Sequence, residues 1–194
     1  SNICTAQVLL AVMASMYGVY HGAAGLQAIA TQVQQHTQIL ATGLDKLSFA
    51  VNREPVFDTI KVQTTAEQAQ AIRQRAEAQG YNFRYFADGN IGISCDETTV
   101  ASEIETIWAI FNHAEIPFTY AQLAQNFTPN FPETLRRTND FLTDPVFNRY
   151  RSETELLRYI HHLQSKDLSL TTSMIPLGSC TMKLNATAEM MPVT

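Results

Sequence analysis

The residues from Ser173 to Asn185, Ser-Met-Ile-Pro-Leu-Gly-Ser-Cys-Thr-Met-Lys-Leu-Asn, are the most unusual stretch of the chain and combine hydroxyl, thiol and amine side chains around a glycine. Small hydroxyl residues around a glycine can present backbone N–H groups and side-chain donors together, which is how loops hold carboxylates or phosphates. On that ground the small hydroxyl residues around Gly178 are candidates for holding an anion. Cys180 and Lys183 add the residue types of a nucleophile. A tight structural turn accounts for Pro-Leu-Gly-Ser equally well. Without a partner base nearby in sequence, Cys180 also reads as a small buried thiol, and Lys183 as a surface or ion-pairing residue. Cys4, Cys95 and Cys180 share no CxxC or Cys/His ligand spacing, so neither a disulfide framework nor a metal site is expected.

The elements that must position such a loop come from 194 residues, of which 45% are hydrophobic and 16% charged. That is enough apolar material for one domain of ordinary size or two small ones. The net charge of −5, without a Lys/Arg stripe, argues against a nucleic-acid partner. The most apolar stretch, Val8 to Tyr20, is interrupted by Ser15 and Gly18. It falls short of the roughly 20 residues that span a bilayer, so a buried helix is expected and no membrane. No targeting segment is visible. The chain opens on a helix-start signal and stops at Glu-Met-Met-Pro-Val-Thr without a closing element, so a piece of a longer polypeptide is expected.

Asn2 or Ser1 can cap a first helix with an inward stripe of Leu9, Met13, Met16 with Tyr17, and Tyr20. Gly22 and Gly25 punctuate the chain. A second amphipathic helix carries Leu26, Ile29, Val33, His36, Leu40, Leu44 and Leu47 on one face, with Gln32, Gln34, Gln35 and Gln38 on the other. His36 reads as a core or interface histidine. From Val56 the period shortens to two through Ile60 and Val62, which predicts a strand. A helix over Ala66–Gln79 follows, started by Thr64-Thr65 and stopped by Gly80. Tyr81, Phe83 and Tyr85, a turn at Asp88-Gly89, then Ile91, Ile93 and Cys95 predict a hairpin. A helix over Ala101–Asn112, turning Val100, Ile104, Ile107, Trp108 and Phe111 to one side, completes a β-α-β-β-α unit. Pro117, Pro129 and Pro132 loosen the texture over 117–138, and Ser152 with Glu155 makes a capping box for a last helix ending near Lys166.

Ser1-Asn-Ile-Cys-Thr-Ala-Gln7, Tyr20-His-Gly22 and, above all, the run Ser173 to Pro192 resemble the P-protein family of the glycine cleavage system. The resemblance extends over the whole chain and is strongest at its ends. It implies an α/β fold, α+β within this segment, cut from a pyridoxal-phosphate-dependent aminotransferase-like protein with two related halves. Residues 1–50 would be the terminal helices of the first half's large domain and 51–116 its small αβ domain. Residues 117–138 would be a linker, and 139–194 would open the second, cofactor-binding half.

The implied chemistry is oxidoreductase-class glycine decarboxylation on pyridoxal 5′-phosphate, with the aminomethyl group passed to the lipoyl arm of H-protein. The implied partners are lipoylated H-protein, the other glycine cleavage components and a second copy of the full-length chain, in bacterial cytoplasm or in mitochondria if eukaryotic. The family's Schiff-base lysine lies in a later His-Lys segment that Lys183 does not match. No catalytic residue is therefore assigned, and the 194 residues alone are expected to be inactive. Ser173, Gly178, Ser179, Cys180, Thr181, Lys183 and Asn185 remain lining candidates. The rival expectation is a non-enzymatic regulatory or adaptor αβ module that binds an amino acid or a partner, which fold alone could not distinguish.

Overall fold

Helix α1 runs from Ala6 to Lys46 and is broken once, at Gly22 (φ 59°, ψ −173°). It is followed by β1 (Thr59–Val62), α2 (Ala66–Ala78), β2 (Arg84–Tyr85), β3 (Ile91–Ser94), α3 (Ala101–Asn112), α4 (Tyr120–Ala124) and α5 (Glu153–Gln164). The structure, a computed structural model, describes residues 6–52, 56–125, 127 and 132–167. They fall into two units. One contains the described residues through Leu26 and those from Asn139 onward, the other Gln27–Thr138.

In the Gln27–Thr138 unit the predicted β-α-β-β-α order is present, and the three strands form an antiparallel sheet in the order β1-β3-β2. Ile60 pairs with Ile93 and Val62 with Ile91, while Arg84 faces Gly92. Alternation along β1 turns Ile60 and Val62 inward and leaves Thr59 and Lys61 exposed, as a half-buried strand requires. The outer edge of β1 is not bare. Asn52 N–H donates to the Lys61 carbonyl at 3.0 Å and Gln63 N–H to the Ala50 carbonyl at 2.8 Å, so residues 50–52 occupy the donors and acceptors that an edge would otherwise offer to another chain.

Local chemistry explains the helix limits. Thr65 and Gln68 exchange side-chain-to-backbone bonds as a capping box at the start of α2. Gly80, at φ 80°, takes the left-handed conformation just past its end. At the far end of α3, Arg75 of α2 donates to the carbonyls of Ile110 (2.6 Å) and Phe111 (3.2 Å), which have no intrahelical partner. The core lies where α1, α2 and α3 meet the sheet. Leu40, Leu44, Ile60, Val62, Ile104 and Trp108 are completely buried there.

Three expectations need correction. The stripe Leu9, Met13, Tyr17 does not face inward. Leu9 is 66% and Met13 59% exposed, because no described element covers that side of α1. The face of Gln32, Gln34, Gln35 and Gln38 is not uniformly solvated, since Gln34 is buried. Here α1 is covered from several directions: Trp108 Nε1 donates to the Leu40 carbonyl (3.0 Å), and Tyr120 Oη meets His36 Nδ1 (3.0 Å). Val100, at the cap of α3, is half exposed instead of joining Ile104 and Trp108.

Within 117–138 the chain forms α4, started by a Thr119–Gln122 capping box, and Phe118, Tyr120 and Leu123 pack on the core. The two helices expected on either side of Gly22 and Gly25 are the two segments of α1, with the break at Gly22, and Gly25 within the second segment. By length and composition alone Gln7–Lys46 would suffice to cross a membrane. From Val33 onward, however, the helix supplies core side chains.

Candidate functional site

All seven lining candidates, Ser173, Gly178, Ser179, Cys180, Thr181, Lys183 and Asn185, lie outside the described residues, as does Cys4. The described chain instead brings together a buried polar cluster that sequence spacing did not reveal. His36 and Thr37 come from α1, Tyr120 from α4 and Cys95 from the end of β3. Gln32 Nε2, an amide nitrogen and so a donor, lies 3.4 Å from His36 Nε2. That makes Nε2 the acceptor and leaves the Nδ1 proton to donate to Tyr120 Oη at 3.0 Å.

Burial holds the His36 imidazole below its ordinary pKa, partly opposed by the Glu103 carboxylate. Burial also pushes the Tyr120 hydroxyl up. It pushes the Cys95 thiol up as well, and a hydrogen bond with Thr37 offsets only part of that. All three groups are therefore held neutral near pH 7. A thiol raised in this way is a poor nucleophile, and the bond between His36 and Tyr120 fastens α4 to α1. Its signal in the sequence was the single histidine on the apolar stripe, whose partner lay 84 residues away.

A cavity of about 390 Å³ opens between the hairpin and the start of α3, lined by Phe83, Arg84, Asp96, Thr98 and Glu103 among others. Its carboxylates are already engaged. Asp96 accepts from the Thr98 hydroxyl and backbone N–H, which hold its carboxyl below the usual range, and Glu103 accepts from the Val100 N–H at 3.0 Å. Among the described residues no group of three His, Cys, Asp or Glu side chains could hold a metal ion.

Pyridoxal phosphate needs an amine able to form the imine and a cradle of unoccupied donors for its phosphate, commonly a helix N-terminus. Lys61 Nζ is paired with Asp88 at 3.0 Å and lies over the Phe86 ring. Lys46 and Lys166 are exposed. The starts of α2, α3 and α5 are occupied by their own caps and carry Glu67, Glu103, and Glu153 with Glu155 in their first turns, which repel phosphate. The described residues therefore do not fit the cofactor that the resemblance implies.

The other unit presents an apolar surface. Leu156, Leu157 and Ile160 of α5 line a shallow groove of about 420 Å³ with Tyr20 of α1 and Glu153. Leu157 is 65% exposed, Ile160 and Leu163 are exposed too, and Leu9, Leu10, Val12 and Met13 on α1 likewise face outward. Exposed leucines in such numbers along two helices are what an unfinished interface looks like.

Residues 1–111 match the model of a family described as glycine cleavage system P-protein. Three bacterial proteins named glycine dehydrogenase (decarboxylating) align with the whole chain: from Synechocystis sp. at 55% identity, from Bdellovibrio bacteriovorus at 53% and from Nostoc punctiforme at 52%. In each case the aligned region is 20% of the relative, so the chain spans about a fifth of the length of the curated proteins it matches.

Proposed function

The chain belongs to the glycine cleavage system P-protein family, and from that premise we propose that it is the middle segment of a glycine decarboxylase with an aminotransferase-like fold. The observation that carries this is the 55% identity across the entire chain to a glycine dehydrogenase (decarboxylating). In the whole polypeptide, pyridoxal phosphate would act as the electron sink for loss of CO2 from glycine. The aminomethyl group would then pass to the lipoyl arm of H-protein. We place the protein in bacterial cytoplasm, as a homodimer of the full-length chain, in keeping with the bacterial relatives.

The segment's own share in this is positional. Residues 51–116 serve as the small domain of the first half, 1–50 as the helices leading into it, and 117–138 as the connection to 139–194, the opening of the second half. The misfit of the described lysines and helix starts to the cofactor agrees with a Schiff-base lysine placed elsewhere in the longer polypeptide. The outward leucines of α1 and α5 agree with cover supplied by that remainder. We propose that residues 173–185 contribute to lining the site, where Ser179, Cys180 and Thr181 would supply polar contacts to the glycine.

The test is release of CO2 from carboxyl-labelled glycine by the full-length polypeptide with pyridoxal phosphate and lipoylated H-protein. Activity is expected from the full-length protein and none from the 194 residues alone. In the full-length protein S179A and T181A should raise KM for glycine while the absorbance of the bound cofactor is unchanged. An inactive full-length polypeptide, or an active 194-residue chain, would overturn the reading.

A further inference from the structure

The break in α1 has an identifiable cause other than the glycine at which it occurs. Four glycines lie within the helix, Gly18, Gly22, Gly25 and Gly43, and all four carry the helix-propensity cost of that residue. Only Gly22 leaves helical geometry, adopting dihedral angles that glycine alone tolerates. What distinguishes it is its surroundings. A turn over Pro145–Asn148, capped by Asp144 through the Val146 N–H at 3.0 Å, delivers Phe147 and Arg151 to this point of the helix. One turn earlier, a Cβ added at Gly18 would lie in ordinary van der Waals contact with the Phe147 ring.

The Arg151 guanidinium donates to the carbonyls of Tyr20 (2.7 Å) and Val19 (3.3 Å), and also to the Phe147 carbonyl and the Asn148 amide oxygen. The Val19 and Tyr20 carbonyls are the two that the N–H groups of Ala23 and Ala24 would take up in an unbroken helix, which requires helical dihedrals at residue 22. A planar fork with five donors can replace both bonds and still reach the turn; a compact ammonium cannot. Its positive charge also lies at the C-terminal end of the first helical segment, where the helix dipole favours it. A Cβ at Gly22 would run into that guanidinium and the Phe147 carbonyl.

We infer that Arg151 is a wedge that keeps α1 broken: glycine permits the break, and the guanidinium, arriving from 131 residues along the chain, maintains it. Without the wedge the lower-energy form of the segment is the continuous helix. The device goes beyond the decarboxylase reading and does not depend on it.

The test is amide hydrogen exchange over residues 22–26, with thermal unfolding, in the full-length polypeptide containing this segment. R151A should slow exchange at Ala23 and Ala24 about tenfold or more, since their N–H groups regain the Val19 and Tyr20 carbonyls. G22A should lower the unfolding temperature in the otherwise unchanged protein and raise it in the R151A background, a reversal of sign that no independent pair of sites would give. Should R151A not fold, R151K serves: it keeps the charge, loses the fork and should show the same slowing in smaller degree. Faster exchange at Ala23 and Ala24 in the folded arginine variant, or a G22A effect of the same sign in both backgrounds, would overturn the inference.

Discussion

Gly43→Ala provides a demanding test of how α1 and α3 fit together. On an isolated helix the change is favourable by about 1 kcal/mol, because alanine loses less backbone entropy than glycine. Here a Cβ at residue 43 would overlap Cε2, Nε1 and Cζ2 of Trp108. That indole is completely buried, bonded through Nε1 to the Leu40 carbonyl at 3.0 Å and packed edge-on against Phe118 at 5.1 Å. It has nowhere to go without breaking the bond.

Overpacking of this kind costs about 1–3 kcal/mol, and a buried hydrogen bond forced apart costs about 1 kcal/mol more. Against the helical gain, the net loss is about 2 kcal/mol. For a unit of this size that lowers Tm by about 10 °C. Trp108 is the sole tryptophan, so its fluorescence reads the event directly: emission should shift to the red as Tm falls. In a W108F background, where Nε1 and the fused-ring bulk beside it are gone, G43A should cost at least about 1 kcal/mol less. A Tm that is unchanged or raised by G43A, with unshifted emission, would refute the packing argument.

Two further outcomes follow from the buried polar cluster. Burial depresses the His36 pKa in the folded chain, so the unfolded state binds the proton more readily. Stability should therefore decline as pH falls through about 6.5, the ordinary histidine value, and level off once the lower folded value is passed. Denaturant midpoints measured from pH 8 to 5 should show this slope, and H36Q should flatten it; an identical slope in H36Q would assign the effect to other groups. Cys95 is buried with its thiol pushed up, so iodoacetamide at pH 8 should modify it on the order of 100-fold more slowly in the native chain than in denaturant. Equal rates by peptide mapping would show that the β3–α3 corner opens freely.

Much of the Gln27–Thr138 unit was legible because its signals are local. Thr65 and Gly80 bracket α2 through bonds and dihedrals formed within a few residues, Asp88-Gly89 turns the hairpin, and period-two alternation turns Ile60 and Val62 to the inner face of β1. Family membership was legible for a related reason: the run from Ser173 to Pro192 is a string of specific residues, readable without any fold.

Burial was the point at which sequence reasoning failed. Leu9 and Met13 have the spacing of a core face, but spacing says only that one side is apolar, and what covers that side must come from elsewhere. Gln34 was read onto the polar face of its helix, yet it is buried in the packed unit. His36 meets Tyr120 across 84 residues and Arg151 meets Tyr20 across 131. A periodicity is set by neighbours three or four residues away along the chain, so the sequence determined the elements, their limits and the family. Which polar groups are desolvated, and which of Gly22 and Gly25 carries the break in α1, depends on side chains that approach only once those elements have packed, and that only the tertiary structure decided.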